Sequence, residues 1–352
     1  METLAVKYRP KTFADITEQD IVKRILCNQL QTKTTKNAYL FVGPAGCGKT
    51  TAARIFANDI NQGYGTPIEI DAASNNGVDN VRSIIDQSKY KSINSEFKVF
   101  IIDEVHMLST GAWNALLKLL EEPPAGTVFI MCTTDPQKIP ATIISRVQRY
   151  DFHKISMSGL ESRLKYILNE EYHRQGIIED NGINYIAKQA NGGMRDAISL
   201  MDKCLSFYPD KQSPITIDEI INCLGTVNYE VMYNLLMYIL YKDTEISEML
   251  KIINDIFESG KDLKQFMRNF FLFVNDVLKY AYTKDIDITL LPNNEAWKEH
   301  LNSLITDSTI IRRLLTIMDK VMALNSEIKY MSMVKSMAEA SLMLLREEVG
   351  VL

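Results

Sequence analysis

Cysteine is sparse and unpatterned. Its five residues, Cys27, Cys47, Cys132, Cys204 and Cys223, are odd in number, scattered, and nowhere spaced C-x-x-C. That argues against a disulfide framework or a zinc site and points to a reducing, cytoplasmic setting. Long hydrophobic runs are missing as well; none approaches the ~18 residues that a membrane helix needs. Met1 to Pro10 carries charge early and holds no apolar stretch, so it does not read as a secretory signal. Internal repeats and low-complexity segments are lacking. Nor does one sign of charge dominate. A net charge of −5 and a pI near 5.6 exclude a globally basic nucleic-acid coat. They leave room for a local DNA site built from helix N-termini and a few lysines and arginines.

What is present is ordinary for a soluble globular chain. Of 352 residues, 46% are hydrophobic and 24% charged, which at roughly 100–200 residues per domain predicts two or three domains. Residues 36–155 alternate short apolar strands, at 39–42, 67–71, 98–102 and 127–132, with helical stretches. This alternation predicts a parallel sheet covered by helices. From Ser156 onward the periodicity is helical. Gly192-Gly193 and the stretch from Tyr208-Pro209 to Ser213-Pro214 break its first part, and the turn-rich Leu224-Gly225-Thr226 opens the last. In that last part Leu263, Phe266, Met267, Phe270, Phe271, Val274, Val277 and Leu278 recur at three- and four-residue steps, a stripe for core packing or a subunit contact. Methionines gather near the end, including Met331, Met333, Met337 and Met343, and fit irregular gaps or adaptable interfaces.

The run Gly43-Pro44-Ala45-Gly46-Cys47-Gly48-Lys49-Thr50 fits G-x-x-x-x-G-K-[ST] at every fixed position. A strand-like Tyr39-Leu40-Phe41-Val42 precedes it and a helix-like Thr51 to Ala57 follows. Glycines let backbone amides wrap a phosphate, and the helix N-terminus adds partial positive charge. Lys49 is placed to neutralise the β and γ phosphates, and the Thr50 hydroxyl to take a Mg²⁺ position. A second strand, Lys98 to Ile102, ends in Asp103-Glu104. In P-loop enzymes the first such acid orients Mg²⁺ and the second can polarise the attacking water; the alternative is a strand-ending acidic turn. A third, Val128 to Cys132, ends in Thr133-Thr134, either a γ-phosphate contact at the carboxyl end of the sheet or a capping pair. Ser145-Arg146, with Arg149 nearby, and Gly192-Gly193-Met194-Arg195-Asp196 read on spacing alone as surface arginines or as functional ones.

Together these runs resemble the clamp-loader branch of the AAA+ ATPases, and most of all the bacterial DNA polymerase III gamma/tau type. The resemblance is carried by Lys7 to Phe13, the phosphate loop, Ile70 to Asp79, Ile102 to Ser109, Asn114 to Lys118, Leu120 to Pro124, Thr133 to Pro140, Ser145-Arg146 and Gly193 to Asp196. It is dense over residues 1–205 and beyond them only compatible in length and helicity. It implies an α/β P-loop AAA+ domain over residues 1–155, a small helical lid over 156–223 and a helical collar for oligomerisation over 224–352. It also implies roles. Tyr8, Arg9 and Pro10 flank the adenine. Gly43, Pro44, Ala45, Gly46, Cys47, Gly48, Lys49, Thr50 and Thr51 hold the phosphates of ATP, and Thr50 and Asp103 hold Mg²⁺. Glu104 is the base, Thr134 the first sensor of the γ-phosphate and Arg195 the second, from the lid. Arg146 is an arginine finger for ATP bound by the neighbouring subunit.

The implied activity is ATP hydrolysis that opens a sliding clamp and loads it onto primer–template DNA, stimulated by both, in a pentameric ring of this chain with a different fifth subunit. No polymerase activity is implied. The helix from Val78 to about Lys91 presents its end to the clamp, with Tyr90 and Ile93 as apolar anchors. Arg82, Lys118 and Lys138 are either phosphate contacts or solvated helix charges. The sequence departs from the gamma/tau pattern in places. Asn58 to Thr66 carries no cysteine where a four-cysteine zinc module is usual, so no zinc is expected. Ser145-Arg146-Val147 stands for Ser-Arg-Cys, and Glu18 stands where Gly is usual. With its end at Leu352, the chain is expected to lack the long tau-type tail. This compactness is similar to replication factor C small subunits and phage loaders. A branch-migration motor and a non-hydrolysing structural loader subunit are the alternatives. The Ser145-Arg146 pair and the Leu120 to Pro124 run favour a loader, and intact Lys49, Thr50, Asp103 and Glu104 favour hydrolysis.

Overall fold

The inner strands of this chain form from apolar runs that are buried on both faces. The computed structural model describes every residue except 1, 93, 173–175, 210–212, 225–228, 287, 290, 293–294, 306–307, 329–330 and 350–352. The turn at Gly225-Thr226 therefore lies outside the described residues. The chain divides into two compact units, Met1–Pro214 and Ile215–Leu352.

The first unit runs α1 (Leu4–Lys7), α2 (Asp20–Thr32), β1 (Ala38–Val42), α3 (Lys49–Ile60), β2 (Ile68–Asp71), α4 (Val78–Ser88), β3 (Lys98–Asp103), α5 (Thr110–Glu121), β4 (Thr127–Thr133), α6 (Ala141–Ile144) and β5 (Gln148–Asp151). Three further helices follow, α7 (Met157–Tyr172), α8 (Asp180–Gln189) and α9 (Met194–Phe207). All strands are parallel, in the order β2-β3-β4-β1-β5. The four strands expected from the sequence are present. β5 escaped the sequence reading because its alternation, Gln148-Arg149-Tyr150-Asp151, buries only Tyr150.

Side chains alternate across the sheet. Tyr39, Phe41, Val99, Ile101, Val128, Ile130 and Cys132 pack with α3 on one face. Leu40, Val42, Phe100, Ile102, Phe129 and Met131 pack with α4 and α5 on the other. Phe100 and Phe129 stack at 5.2 Å with ring planes 14° apart. Each fully buried ring contributes about 1.5–3 kcal/mol from apolar transfer. The strand ends are held level: Val42 pairs with Thr133 and with Asp151, and Gly43 N donates to Thr133 O at 3.1 Å. That places the loops after β1, β3 and β4 side by side at the carboxyl edge, where parallel sheets bind ligands.

The second unit is helical: α10 (Ile217–Leu224), α11 (Tyr229–Leu240), α12 (Ile246–Glu258), α13 (Leu263–Thr283), α14 (Glu295–Leu304), α15 (Ser308–Glu327) and α16 (Val334–Val349). The apolar stripe of α13 is core: Leu263, Phe266, Met267, Phe270, Val274, Val277 and Leu278 are buried, and Phe271 packs partly buried against them. Buried Arg346 donates through Nη2 to the carbonyl oxygens of Lys242, at 3.0 Å, and of Thr244. No described helix is long and apolar enough to cross a membrane.

Candidate functional site

A cleft of about 430 Å³ opens at the carboxyl edge of the sheet in the first unit. Its lining includes Tyr8, Arg9, Pro10, Ala45, Gly46, Cys47, Gly48, Lys49, Thr50, Thr51, Asp103, Glu104 and Arg195, all singled out in the sequence. The floor is the turn from β1 into α3. Gly46 takes φ 72°, and a Cβ on it would lie 3.0 Å from Gly193 Cα. Met194 N also donates to Gly46 O at 3.0 Å. The start of α9 therefore rests directly on the loop, and this close approach brings Arg195 to the cleft wall. No ion pair ties the Arg195 guanidinium to the described residues.

Lys49 is only 6% exposed, and its Nζ donates to Gly43 O and Pro44 O, each at 2.8 Å. Gly43 and Pro44 thus act on the cleft through Lys49 rather than lining it. Thr50 Oγ1 donates to Asp103 Oδ2 at 2.7 Å, and Asp103 Oδ1 accepts from Glu104 N at 3.0 Å. A hydroxyl and a carboxylate in contact suit Mg²⁺, which takes one or two protein oxygens and completes its shell with phosphate and water. Among the described residues no group of three or more His, Cys, Asp or Glu could hold a metal by itself. The donor set therefore fits a metal that arrives with a nucleotide.

Glu104 sits at φ 45°, a left-handed conformation uncommon for a side-chain-bearing residue. Its Oε2 accepts from Thr134 Oγ1 at 3.0 Å and from Thr134 N at 3.3 Å, and lies 3.3 Å from His106 Nδ1. Thr134 does not line the cleft; it reaches it through Glu104. His106, also 3.1 Å from Thr133 Oγ1, was not picked out from the sequence. Only its place two residues after the acid pair could have marked it.

The entrance is lined by the N-terminal segment. Tyr8 Oη donates to Glu171 Oε2 at 2.8 Å, and burial followed by Glu171 pushes the phenol up to about 12, so it stays neutral. Arg163 Nη2 donates to Tyr8 O at 3.0 Å. Both partners lie on α7, which fastens the N-terminal segment to the helices after the sheet. Arg163 and Arg54 line the cleft and were also missed. Arg54 pairs with Glu69 at 2.6 Å, and its Nε is buried without a partner.

Arg146 lies apart from this cleft. Its Nη2 meets Glu121 Oε1 at 2.8 Å and its Nη1 donates to Thr142 O at 2.7 Å. Arg149 pairs with Asp151 at 2.6 Å. Arg82 and Lys118 line a separate groove of about 600 Å³ between α4 and α5, together with Gly111 and Asn114. Arg82 also pairs with Asp79 at 2.9 Å, while Lys138 pairs with Asp135 at 3.2 Å outside that groove. The α4 helix stops at Ser88, where the Ser88 hydroxyl donates back to Ile85 O at 2.7 Å, so it is shorter than expected. Tyr90 stands two residues beyond, 72% exposed. Ile93 is outside the described residues.

Residues 66–156 match the family described as DNA polymerase III, delta subunit, and residues 160–207 match the DNA polymerase III clamp loader subunit, ATPase lid domain. DNA polymerase III subunit tau of Bacillus subtilis is 39% identical over 294 residues, which cover 78% of this chain and 51% of that protein. The Escherichia coli subunit tau is 40% identical over 226 residues, covering 58% and 35%. The gamma/tau subunit of Mycoplasma genitalium is 33% identical over 310 residues, covering 82% and 50%. The chain thus spans about half the length, or less, of these relatives. The Thermotoga maritima RuvB Holliday junction branch migration motor superposes with a TM-score of 0.52 at 20% identity, over 72% of this chain and 86% of that one. That likeness concerns the fold alone.

Proposed function

Because the chain is homologous to the DNA polymerase III tau and gamma/tau subunits and belongs with the clamp-loader AAA+ ATPases, we propose that it binds Mg²⁺–ATP in the cleft beside Lys49 and hydrolyses it to open a sliding clamp and load it onto primer–template DNA. The observation that carries this reading is a division of the hydrolytic set. The loop, Thr50, Asp103, Glu104 and Arg195 converge on one cleft, while Arg146 lies outside its own chain's cleft. If Arg146 is to stabilise the transferring phosphoryl, it must then do so in the cleft of a second subunit. We propose a pentameric ring with a different fifth subunit, a lid over 156–223 and a collar over 224–352.

The geometry supports the following roles. Lys49 and the loop amides hold the phosphates. Mg²⁺ would be held by Thr50 and Asp103 and would neutralise developing charge. Glu104 takes a proton from the attacking water, and Thr134 holds that carboxylate in place. Branch migration, the second reading, rests on fold likeness at 20% identity, whereas sequence matches at 32–40% are to polymerase III subunits. The deciding experiment is phosphate release with the clamp and primed DNA supplied separately and together. A loader turns over fastest with both. A rate indifferent to the clamp would support the motor reading, and no turnover with all partners present would support a structural subunit.

Arg82 and Lys118 face one groove, which supports a role in tracking DNA phosphates; Lys138 is kept in the same proposal. Replacing all three with alanine should weaken primed-DNA binding at low salt and lower the slope of log affinity against log salt by about two to three units. Fluorescence anisotropy across a salt series measures this, and an unchanged slope removes the three from the DNA surface.

A further inference from the structure

Glu18 and Gln19 are consecutive residues in the left-handed region, at φ 57° and 56°. Side-chain-bearing residues hold that conformation only where their surroundings over-determine it. Gln19 is 9% exposed; its Nε2 donates to His153 O at 2.7 Å, and its Oε1 accepts from His153 N at 3.2 Å. The same Nε2 lies 3.5 Å from Cys47 O in the phosphate loop.

Glu18 reaches three residues further, to Ser156. Ser156 is the N-cap of α7: its carbonyl accepts from Leu160 N at 3.0 Å and its Oγ from Gly159 N at 3.1 Å. Ser156 N donates to Glu18 Oε2 at 3.1 Å and to Oε1 at 3.3 Å, and Ser156 Oγ donates to Oε1. In a capping box the acid that receives the N-cap amide is the side chain three residues into the helix. Here that position is Gly159, which has none, and a Cβ on it would lie 2.5 Å from Glu18 Oε1. The carboxylate that completes the box comes instead from 138 residues earlier in the chain. A negative charge at a helix N-terminus is favoured in its own right.

We propose that Glu18 is a positioning residue that latches the first helix after the sheet to the N-terminal wall of the cleft, and so sets nucleotide affinity. The proposal rests on the ATP-binding reading above. Ile16 and Thr17, just before Glu18, line the cleft, and so does Ile155, just before Ser156. The latch therefore ties two walls of one cleft at their bases. The helix it caps, α7, also carries Arg163 and Glu171, which hold Tyr8 at the entrance. Releasing its first turn loosens both ends of that wall, while Lys49, Thr50, Asp103 and Glu104 keep their contacts.

Glu18→Gly is the direct test, because glycine adopts the left-handed backbone freely and lacks the side chain that carries the carboxylate. In the full chain it should raise the Kd of a fluorescent ATP analogue, and the KM for ATP, about fivefold. The kcat at saturating ATP should stay within about twofold. Glu18→Gln keeps an acceptor oxygen for Ser156 and should recover binding to within about twofold of the parent. Ser156→Ala removes the Oγ bond to Glu18 while leaving the Ser156 amide on the carboxylate, and should raise Kd about threefold. Its effect should add only in part to that of Glu18→Gly, since the Oγ–carboxylate bond is shared while the Oγ cap on Gly159 N is not. Parent-like binding in Glu18→Gly, failure of Glu18→Gln to recover it, or full additivity with Ser156→Ala would overturn the latch. A parent chain that binds no analogue would instead remove the ATP reading itself.

Discussion

Replacing Glu104 with glutamine should leave ATP binding within about twofold of the parent and lower turnover by about 10²–10⁴, the range attributed to a positioned general base. The substitution keeps the shape of a side chain whose contacts are well defined. Glu104 is anchored by its own backbone at φ 45° and by Thr134, whose hydroxyl lies 3.0 Å from Oε2. The amide can still accept from Thr134, so the loop between β3 and α5 has no reason to move. What is lost is the capacity to take a proton from water. Binding rests elsewhere, on Lys49 and the loop amides, which the change does not touch. The measurements are kcat from phosphate release and Kd from a fluorescent analogue, on the same preparation with clamp and primed DNA. A tenfold loss of binding would mean that Glu104 shapes the cleft. Retained turnover would mean that the base is another group, with His106, 3.3 Å from Oε2, the nearest candidate.

The β3–β4 edge shows why some of the site was legible in the sequence and some was not. Lys49, Thr50, Asp103 and Glu104 were readable because their chemistry is set by local context: an apolar strand, then a turn carrying a fixed residue type. The register that levels Val42 with Thr133 turns that one-dimensional pattern into a shared edge. His106, Arg54 and Arg163 had no such local signature. Each matters only because a distant segment meets it: Thr133 for His106, Glu69 for Arg54, the Tyr8 carbonyl for Arg163. Glu18 is the sharpest case. In the sequence it was only a departure from the usual Gly. In three dimensions it keeps the left-handed geometry that Gly would supply and adds a carboxylate to a helix end with no acid of its own. β5 was missed for a different reason. As an edge strand it buries a single residue, Tyr150, so it lacks the continuous apolar run that marks the inner strands.

Arg146→Ala should reduce clamp- and DNA-stimulated turnover by about 10³ or more, in line with arginine fingers elsewhere, while ATP binding stays at the parent level. The expectation rests on placement. Arg146 is held by Glu121 and the Thr142 carbonyl, outside the cleft that contains Lys49 of the same chain. Its pair with Glu121 is more than a third exposed on both sides, and such pairs contribute only about 0–1 kcal/mol, so the variant should melt at nearly the parent temperature. A stability effect therefore cannot imitate the catalytic one. Mixing separates a finger given to a neighbour from one used at home. A Lys49→Ala chain has a crippled loop and an intact Arg146; an Arg146→Ala chain has the reverse. Each alone should be nearly inactive. In a mixed ring, some intact loops face an intact arginine from the adjacent subunit, so activity should return to a measurable fraction of the parent. If Arg146 served its own cleft, every site in the mixture would lack one component and no activity would return.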